Sequence, residues 1–442
     1  LRAAAGTAPR LRAEAEGIAH LQSTSGSTGT PKLAVVRHRN ITANVRAVGA
    51  AIGHRPDDVL VTWLPFSHDM GLIGLAYALL WQIPIVVCET TLFVQNPLLW
   101  PQWMSRFGGT LSPAPNSAFQ MCARLARLRP PRGLNLAAWR VALCGAEPVF
   151  ETTLQQFRAA FAPAGLRDTT VLPVYGLAEA TLAVTISAPG APLRVDRVDS
   201  DALGAEHRAV PRGDGGARSL AVVGVGRAIP GHHLRVVDAD GRALPDRQVG
   251  EIEFAGPSVV DGYWSKPEAP AALRRPDGFL RTGDLGYLAD GILYVTGRHK
   301  DLVIVGGRNY SPNQIEAFVE NLLDSPVTPA VVAVGVEDPS LGTEQLHLLL
   351  DTRLAGGEAP RAVEERVRQG LEEVFGLGGT AVHWVTGGEI PRTHSGKVQR
   401  FLCRQLVDAR SKGEPEWSLS PSSGSGAAFP AGSRIPDRSG PC

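Results

Sequence analysis

Between Ala19 and Thr181, short apolar runs alternate with helix-like segments. Residues 58–64, 109–112, 140–144 and 169–174 read as strands. Residues 40–53, 97–107, 116–128 and 150–161 read as helices. Strands this apolar must be buried on both faces, and helices that return the chain between parallel neighbours supply the cover. The pattern predicts an α/β fold with a mostly parallel, helix-covered sheet. The apolar run at 70–88 fits the same scheme. Pro84 interrupts it and Gln82 sits inside it, so we read a buried helix followed by a buried parallel strand, with no membrane span.

The character changes after Ser187. Residues 188–220 are rich in Gly, Pro, Asp and Arg and read as a long loop or insertion. Strand-like runs at 221–225, 233–237 and 251–254, with Asp240-Gly241 as a turn, predict an antiparallel β subdomain. Residues 297–407 alternate strand and helix again. The Ser/Gly/Pro-rich end has too little apolar surface for a core. The expected organisation of the 442 residues is a large domain over 1–297, a small mobile α+β domain over 298–408 and a disordered tail over 409–442.

Lys plus Arg is 44 against 43 for Asp plus Glu, a net charge of +1, so the footprint of a nucleic-acid binder is absent. The five cysteines show neither zinc spacing nor a disulfide framework. Residues 1–12 carry no apolar signal core. Buried thiols in the reducing cytoplasm are the expectation.

The segment Thr24-Ser25-Gly26-Ser27-Thr28-Gly29-Thr30-Pro31-Lys32 carries the chemistry. Glycines let the backbone approach phosphate oxygens, hydroxyls and successive N–H groups form an anion nest, and Lys32 adds charge. It is not a Walker A loop, because Pro31 stands where that motif needs its second Gly. A strand-like run before it and a helix after it suggest a loop inside a βα unit.

This loop resembles the phosphate loop of the adenylate-forming superfamily, which includes acyl-CoA synthetases, peptide-synthetase adenylation domains and luciferases. Further segments match in order. Tyr175-Gly176-Leu177-Ala178-Glu179 resembles the aromatic-Gly-x-x-Glu motif, Thr282-Gly283-Asp284 the ribose-binding motif, Gly297-Arg298-His299-Lys300-Asp301 the hinge, and Ser395-Gly396-Lys397 the loop of the catalytic lysine. Within the superfamily, His68-Asp69-Met70-Gly71-Leu72, Gly145-Ala146-Glu147-Pro148 and the insertion at 188–220 look most like fatty acyl-AMP ligases. That family is associated with poor use of coenzyme A and passes its acyl group to the phosphopantetheine of a carrier protein.

The resemblance implies ATP and Mg²⁺ as cofactors, a fatty or related carboxylic acid as substrate, and an acyl carrier protein or coenzyme A as acceptor. Thr24 to Gly29 with Lys32 would hold phosphates. Glu179 would hold Mg²⁺, a hard cation that prefers carboxylate oxygen. Gly145, Ala146 and Glu147 would line the adenine, and Tyr175, next to Gly176, would stack its ring on it, with a core aromatic as the other reading of Tyr175. Asp284 would accept the ribose hydroxyls, with Arg298 alongside. Lys397 would bridge carboxylate and α-phosphate in the transition state, and Lys300 would be the hinge. His68 has two readings, a group at the carboxylate or pantetheine entrance and a histidine satisfied locally at a helix start.

Leu33 replaces the usual Gly after Pro-Lys, and only 23 residues precede Thr24 where the family has a substantial region. The chain is therefore expected to expose apolar surface and to be less stable or less active than a longer relative. Phe66 is followed by Ser67, not by the Asp that amino-acid-activating domains use to hold an ammonium. An acyl-CoA synthetase and an inactive fragment that only binds nucleotide or acyl ligand remain the alternatives.

Overall fold

A computed structural model describes residues 14–24, 32–213, 218–264, 274–323, 331–338, 342–386, 388–392 and 398–411. Strands β1 (Ile18–Thr24) and β2 (Lys32–Arg37) form an antiparallel hairpin in which Thr24 faces Lys32. The phosphate-loop segment therefore joins two strands. The expected βα unit is corrected: α1 (His38–Ile52) begins only after β2. The cause is the run Leu33-Ala34-Val35-Val36, whose alternate members Ala34 and Val36 are fully buried, a period that only a strand can present.

The central sheet is built as the alternation predicts. Its strands are β3 (Leu60–Thr62), β4 (Ile85–Val87), β5 (Leu111–Pro115), β6 (Val141–Gly145), β7 (Val171–Gly176), β8 (Ala183–Ile186) and β11 (Arg227–Ala228). The spatial order is β11-β8-β7-β6-β5-β3-β4, parallel from β4 to β7 and antiparallel at β8 and β11. Helices α2 (Asp69–Trp81), α3 (Thr90–Gln95), α4 (Leu99–Phe107), α5 (Asn116–Leu128) and α6 (Glu151–Phe161) make the connections. Trp100, Phe119, Trp139 and Phe157 pack edge-to-face or tilted at the centre of one core. The run at 70–88 is helix α2 and then β4. That strand is not buried as expected. It is the sheet's edge, and Val87 is 54% exposed, with Leu79, Leu92 and Val94 also exposed nearby in sequence. Among the described residues no helix is long and apolar enough to cross a membrane.

Residues 188–220 are more ordered than a long loop. They contain β9 (Val195–Asp199), α7 (Ser200–Ala205) and the start of β10 (Ser219–Val223), with β9 and β10 paired antiparallel. Asp199 caps α7 by accepting from the N–H groups of Asp201 and Ala202. The antiparallel β subdomain is present as β12 (His233–Val237), β13 (Gly250–Ala255), β14 (Leu280–Ala289) and β15 (Ile292–Arg298).

The C-terminal α/β unit has the hairpin β16 (Val303–Val305) and β17 (Arg308–Tyr310). A sheet of β18 (Val331–Asp338), β19 (Thr343–Asp351) and β20 (Ala381–Val385) packs with α8 (Pro312–Leu322), α9 (Pro360–Phe375) and α10 (Arg400–Ser411). It docks on α7. Asp201 bridges Arg218 at 2.6 Å and Arg308 at 2.7 Å, and the Ser200 hydroxyl donates to the Val374 carbonyl at 2.8 Å. The residues expected to form a disordered tail lie, beyond Ser411, outside the described residues.

Within this unit His347 Nδ1 and His383 Nε2 lie 2.9 Å apart on neighbouring strands, a spacing that requires one ring to donate and the other to accept. Burial, and then the facing His383, push His347 down to about 4, against the opposing pull of Asp408 and Asp338. Burial and Arg410 also lower His383. A depressed histidine stabilises the fold fully above its unfolded value of 6.5 and loses that contribution as pH falls through the folded value. Thermal unfolding of the unit should therefore shift to lower temperature between pH 6.5 and about 4. His347→Asn should flatten that dependence, and an unchanged profile would count against the account.

Candidate active site

The site is assembled where the β1–β2 hairpin, the end of β7 and the β14–β15 pair meet. Tyr175 lies next to the end of β7, with its ring packed among core residues and its hydroxyl donating to Asp284 Oδ2 at 2.6 Å. Asp284 and Arg298 face each other across β14 and β15, and Arg298 Nε donates to Asp284 Oδ1 at 2.7 Å. Strand pairing thus brings the Thr-Gly-Asp and Gly-Arg segments together. Asp284 is almost fully buried, and the Asp284 charge holds the Arg298 guanidinium firmly protonated. Each Asp284 oxygen already accepts one protein donor. A carboxylate oxygen can accept a second, so the pair is a rigid acceptor for further hydroxyls. Tyr175 is accordingly a support for Asp284, and its polar end is already engaged.

Glu179 lies in a short 3₁₀ turn, Ala178–Ala180, after β7. The turn is compact. A Cβ on Gly176 would sit 2.0 Å from the Leu182 carbonyl oxygen, so only glycine fits. Thr181 holds φ at +71°, unusual for a β-branched residue, and its hydroxyl donates to the Ser258 carbonyl at 2.6 Å. Tyr263 donates to Glu179 Oε1 at 2.7 Å, and among the described residues nothing bonds Oε2. One carboxylate oxygen so oriented fits a hard divalent cation. Lys32 Nζ stands 5.1 Å from the centre of the Tyr263 ring. Tyr263 was not legible as functional, because a Gly-Tyr-Trp segment has no distinguishing chemistry in sequence.

The remaining predicted residues divide. Lys300 occupies the 3₁₀ turn His299–Asp301 between β15 and β16. Burial lowers its pKa first, and then the charges of Arg298 and Lys32, so this turn borders both the Asp284–Arg298 pair and the hairpin. Gly145 ends β6, where a Cβ would meet Val174 at 2.6 Å, and Ala146 has φ +62°. Glu147 turns to α5 and accepts from the N–H and hydroxyl of Ser117 at 2.9 and 3.1 Å, so its carboxylate serves a helix start. His68 caps α2. Its Nδ1 lies 2.7 Å from Asp69 Oδ1 and 3.2 Å from the Met70 nitrogen, which gives the locally satisfied reading a geometric basis. Gln22 on β1 donates to the Ser67 carbonyl at 3.4 Å, which keeps this turn beside the hairpin. Ser25, Gly26, Ser27, Thr28, Gly29 and Lys397 lie outside the described residues, as does the side chain of Thr24.

A hairpin whose connecting segment is rich in Ser, Thr and Gly, a carboxylate after the fifth parallel strand and an Asp–Arg pair ahead of a small C-terminal unit match the layout of an adenylate-forming enzyme. The chain belongs to the AMP-binding enzyme family, whose model matches residues 3–264. It is 36% identical over 401 residues to a medium-chain-fatty-acid–[acyl-carrier-protein] ligase of Moorena producens, covering 88% of this chain and 67% of that protein. It is 35% identical over 415 residues to a long-chain-fatty-acid–AMP ligase of Mycobacterium tuberculosis, covering 88% and 70%. Among solved structures, one from a study of fatty acyl-adenylate ligases of E. coli and L. pneumophila superposes with a TM-score of 0.81 at 34% identity, covering 91% of this chain and 72% of that one.

Proposed function

We propose that the protein activates a fatty acid with ATP and passes the acyl group to the phosphopantetheine thiol of a carrier protein. In the first step a carboxylate oxygen attacks the α-phosphorus of ATP, the bond to the β-phosphate bridging oxygen breaks, and pyrophosphate leaves. In the second the carrier thiolate attacks the acyl carbon and AMP leaves. The observation that carries this reading is the convergence of Lys32, Glu179 and the Asp284–Arg298 pair. Tyr263 touches the first two and feels the charge of Arg298.

Lys32 and the loop after Thr24 would hold the leaving phosphates, and Asp284 with Arg298 the ribose. Mg²⁺, when bound, offsets charge on the phosphate oxygens. Glu179, through Oε2, is the residue that would hold it. Asp284 is held in orientation by Arg298 and Tyr175, so it needs no rearrangement when ATP arrives. Burial raises the Tyr175 hydroxyl well above its usual range, and the Asp284 charge adds to that, so it remains a donor.

Two features favour a carrier over free coenzyme A. One is the printed activity of the Moorena producens relative. The other is the docking of 188–220 on the C-terminal unit through Asp201 and Ser200, which ties down the unit that would reorient at Lys300. The division at 297–298 and a cytoplasmic setting are part of the same proposal.

Pyrophosphate release from ATP and Mg²⁺ with a panel of fatty acids tests the first step. Addition of coenzyme A or a pantetheinylated carrier then tests the second. Discharge of acyl-AMP to the carrier alone is expected. Discharge to coenzyme A would make the protein an acyl-CoA synthetase, and no pyrophosphate with any acid would leave only a binding role.

A further inference from the structure

Tyr263 is almost fully buried in a small cluster with Ala34, Val36 and Val260. Its ring explains the cluster, but its hydroxyl does not, because phenylalanine would pack equally well there. The hydroxyl instead donates to Glu179 Oε1 at 2.7 Å. The backbone around Tyr263 ties the same two elements together. The Val35 N–H donates to the Gly262 carbonyl at 3.0 Å and the Trp264 N–H to the Leu33 carbonyl at 2.8 Å, so the segment runs beside β2. The Val260 N–H donates to the Glu179 carbonyl at 2.9 Å.

The chemistry of this contact is selective. A phenol hydroxyl is a neutral donor at ordinary pH, and here it is aimed at Glu179 Oε1. A neutral donor orients a carboxylate and leaves its charge available, whereas a lysine or arginine on it would neutralise that charge. Lys32, a cation of the hairpin, lies against the Tyr263 ring. Among the described residues Glu179 makes no ion pair. The ring thus takes the lysine on its face and the carboxylate at its hydroxyl, and keeps the two apart.

We propose that Tyr263 is a positioning residue for divalent cation binding, holding Glu179 by Oε1 so that Oε2 meets the metal, while Lys32 is kept for phosphate. This rests on the reading of Glu179 as the metal-holding carboxylate. Hydrogen-bond partners of metal-ligating carboxylates typically change metal affinity by about 10–100-fold when removed.

The test is Mn²⁺ titration by electron paramagnetic resonance, in the presence of a non-hydrolysable ATP analogue, on wild type, Tyr263→Phe and Glu179→Gln. Nucleotide binding in EDTA and thermal unfolding are measured alongside. Tyr263→Phe should weaken Mn²⁺ binding by about tenfold or more, with metal-free nucleotide affinity unchanged. Wild-type Mn²⁺ affinity in Tyr263→Phe, beside a loss in Glu179→Gln, would overturn the role of Tyr263 and leave Glu179 in place. An equal loss of metal-free nucleotide binding in Tyr263→Phe would also overturn it, because that marks packing alone. Unchanged Mn²⁺ affinity in Glu179→Gln would remove the metal reading itself, and this proposal with it.

Discussion

Lys397→Ala is expected to slow acyl-adenylate formation by about a hundredfold or more, the usual consequence of removing one charge that offsets a developing phosphate charge. Transfer from preformed acyl-AMP to a carrier thiol should be little changed, because that step forms no bond at phosphorus. The surroundings make the variant a clean test. Arg392 bridges Val398, and the Gln399 N–H donates to the Pro391 carbonyl at 2.9 Å, which closes the base of the loop. Arg400 Nη2 donates to Asn313 Oδ1 and to Glu316 Oε2, both at 2.6 Å, and Glu316 Oε1 accepts from the Ala333 N–H. Burial pushes Glu316 up to about 7, against the pull of Arg400, so this anchor is strongest at neutral pH and above. None of these bonds involves the Lys397 side chain. Single-turnover formation of acyl-AMP near the wild-type rate would sink the assignment of Lys397.

Asp58→Ala is expected to destabilise the large unit by about 3–5 kcal/mol, the range found when one member of a buried ion pair is removed. Asp58 is fully buried and sits just before β3. Its Oδ1 accepts from Arg140 Nε at 2.7 Å and from the Thr110 hydroxyl at 2.8 Å, and its Oδ2 accepts from Arg140 Nη2 and from the Arg55 N–H at 2.9 Å. Arg140 Nη1 reaches the Ile52 carbonyl at 2.9 Å. One carboxylate therefore ties together the starts of β3, β5 and β6. Burial pushes the carboxyl up, but the bonds from Arg140, Arg55 and Thr110 outweigh it and hold it below the usual carboxylate range. Without it the Arg140 charge stays buried with one carbonyl for a partner. Urea unfolding measures the loss, and a change below about 1 kcal/mol would show that the pair is replaceable by water.

Much of the fold was legible because local pattern and tertiary role agree. The strands at 140–144 and 169–174 and the helix at 116–128 are buried where their apolar residues require. Disagreement arose where partners decide. The run after Lys32 was read as the approach to a helix, yet its alternation pairs it with β1. The apolar run at 85–88 was read as a buried parallel strand, and it is parallel but ends the sheet, since no local feature distinguishes an edge from a centre. Residues 188–220 were read as a long loop or insertion on composition, and the Asp199 cap and the β9–β10 pairing give their described part regular structure.

For the proposed site, sequence alone supplied the candidates: a Ser/Thr/Gly segment, Glu179, Asp284, Arg298 and Lys397 in that order along the chain. Those identities depend on which functional groups the reaction needs, and a side chain's chemistry is written directly in its name. Tertiary structure alone decided the pairings. Asp284 meets Arg298 because β14 lies against β15, Glu147 turns to Ser117, and Tyr263, separated from Glu179 by a long stretch of chain, arrives beside it through the β2 edge. Such contacts depend on distances closed by strand pairing and packing, and no spacing in the sequence encodes them.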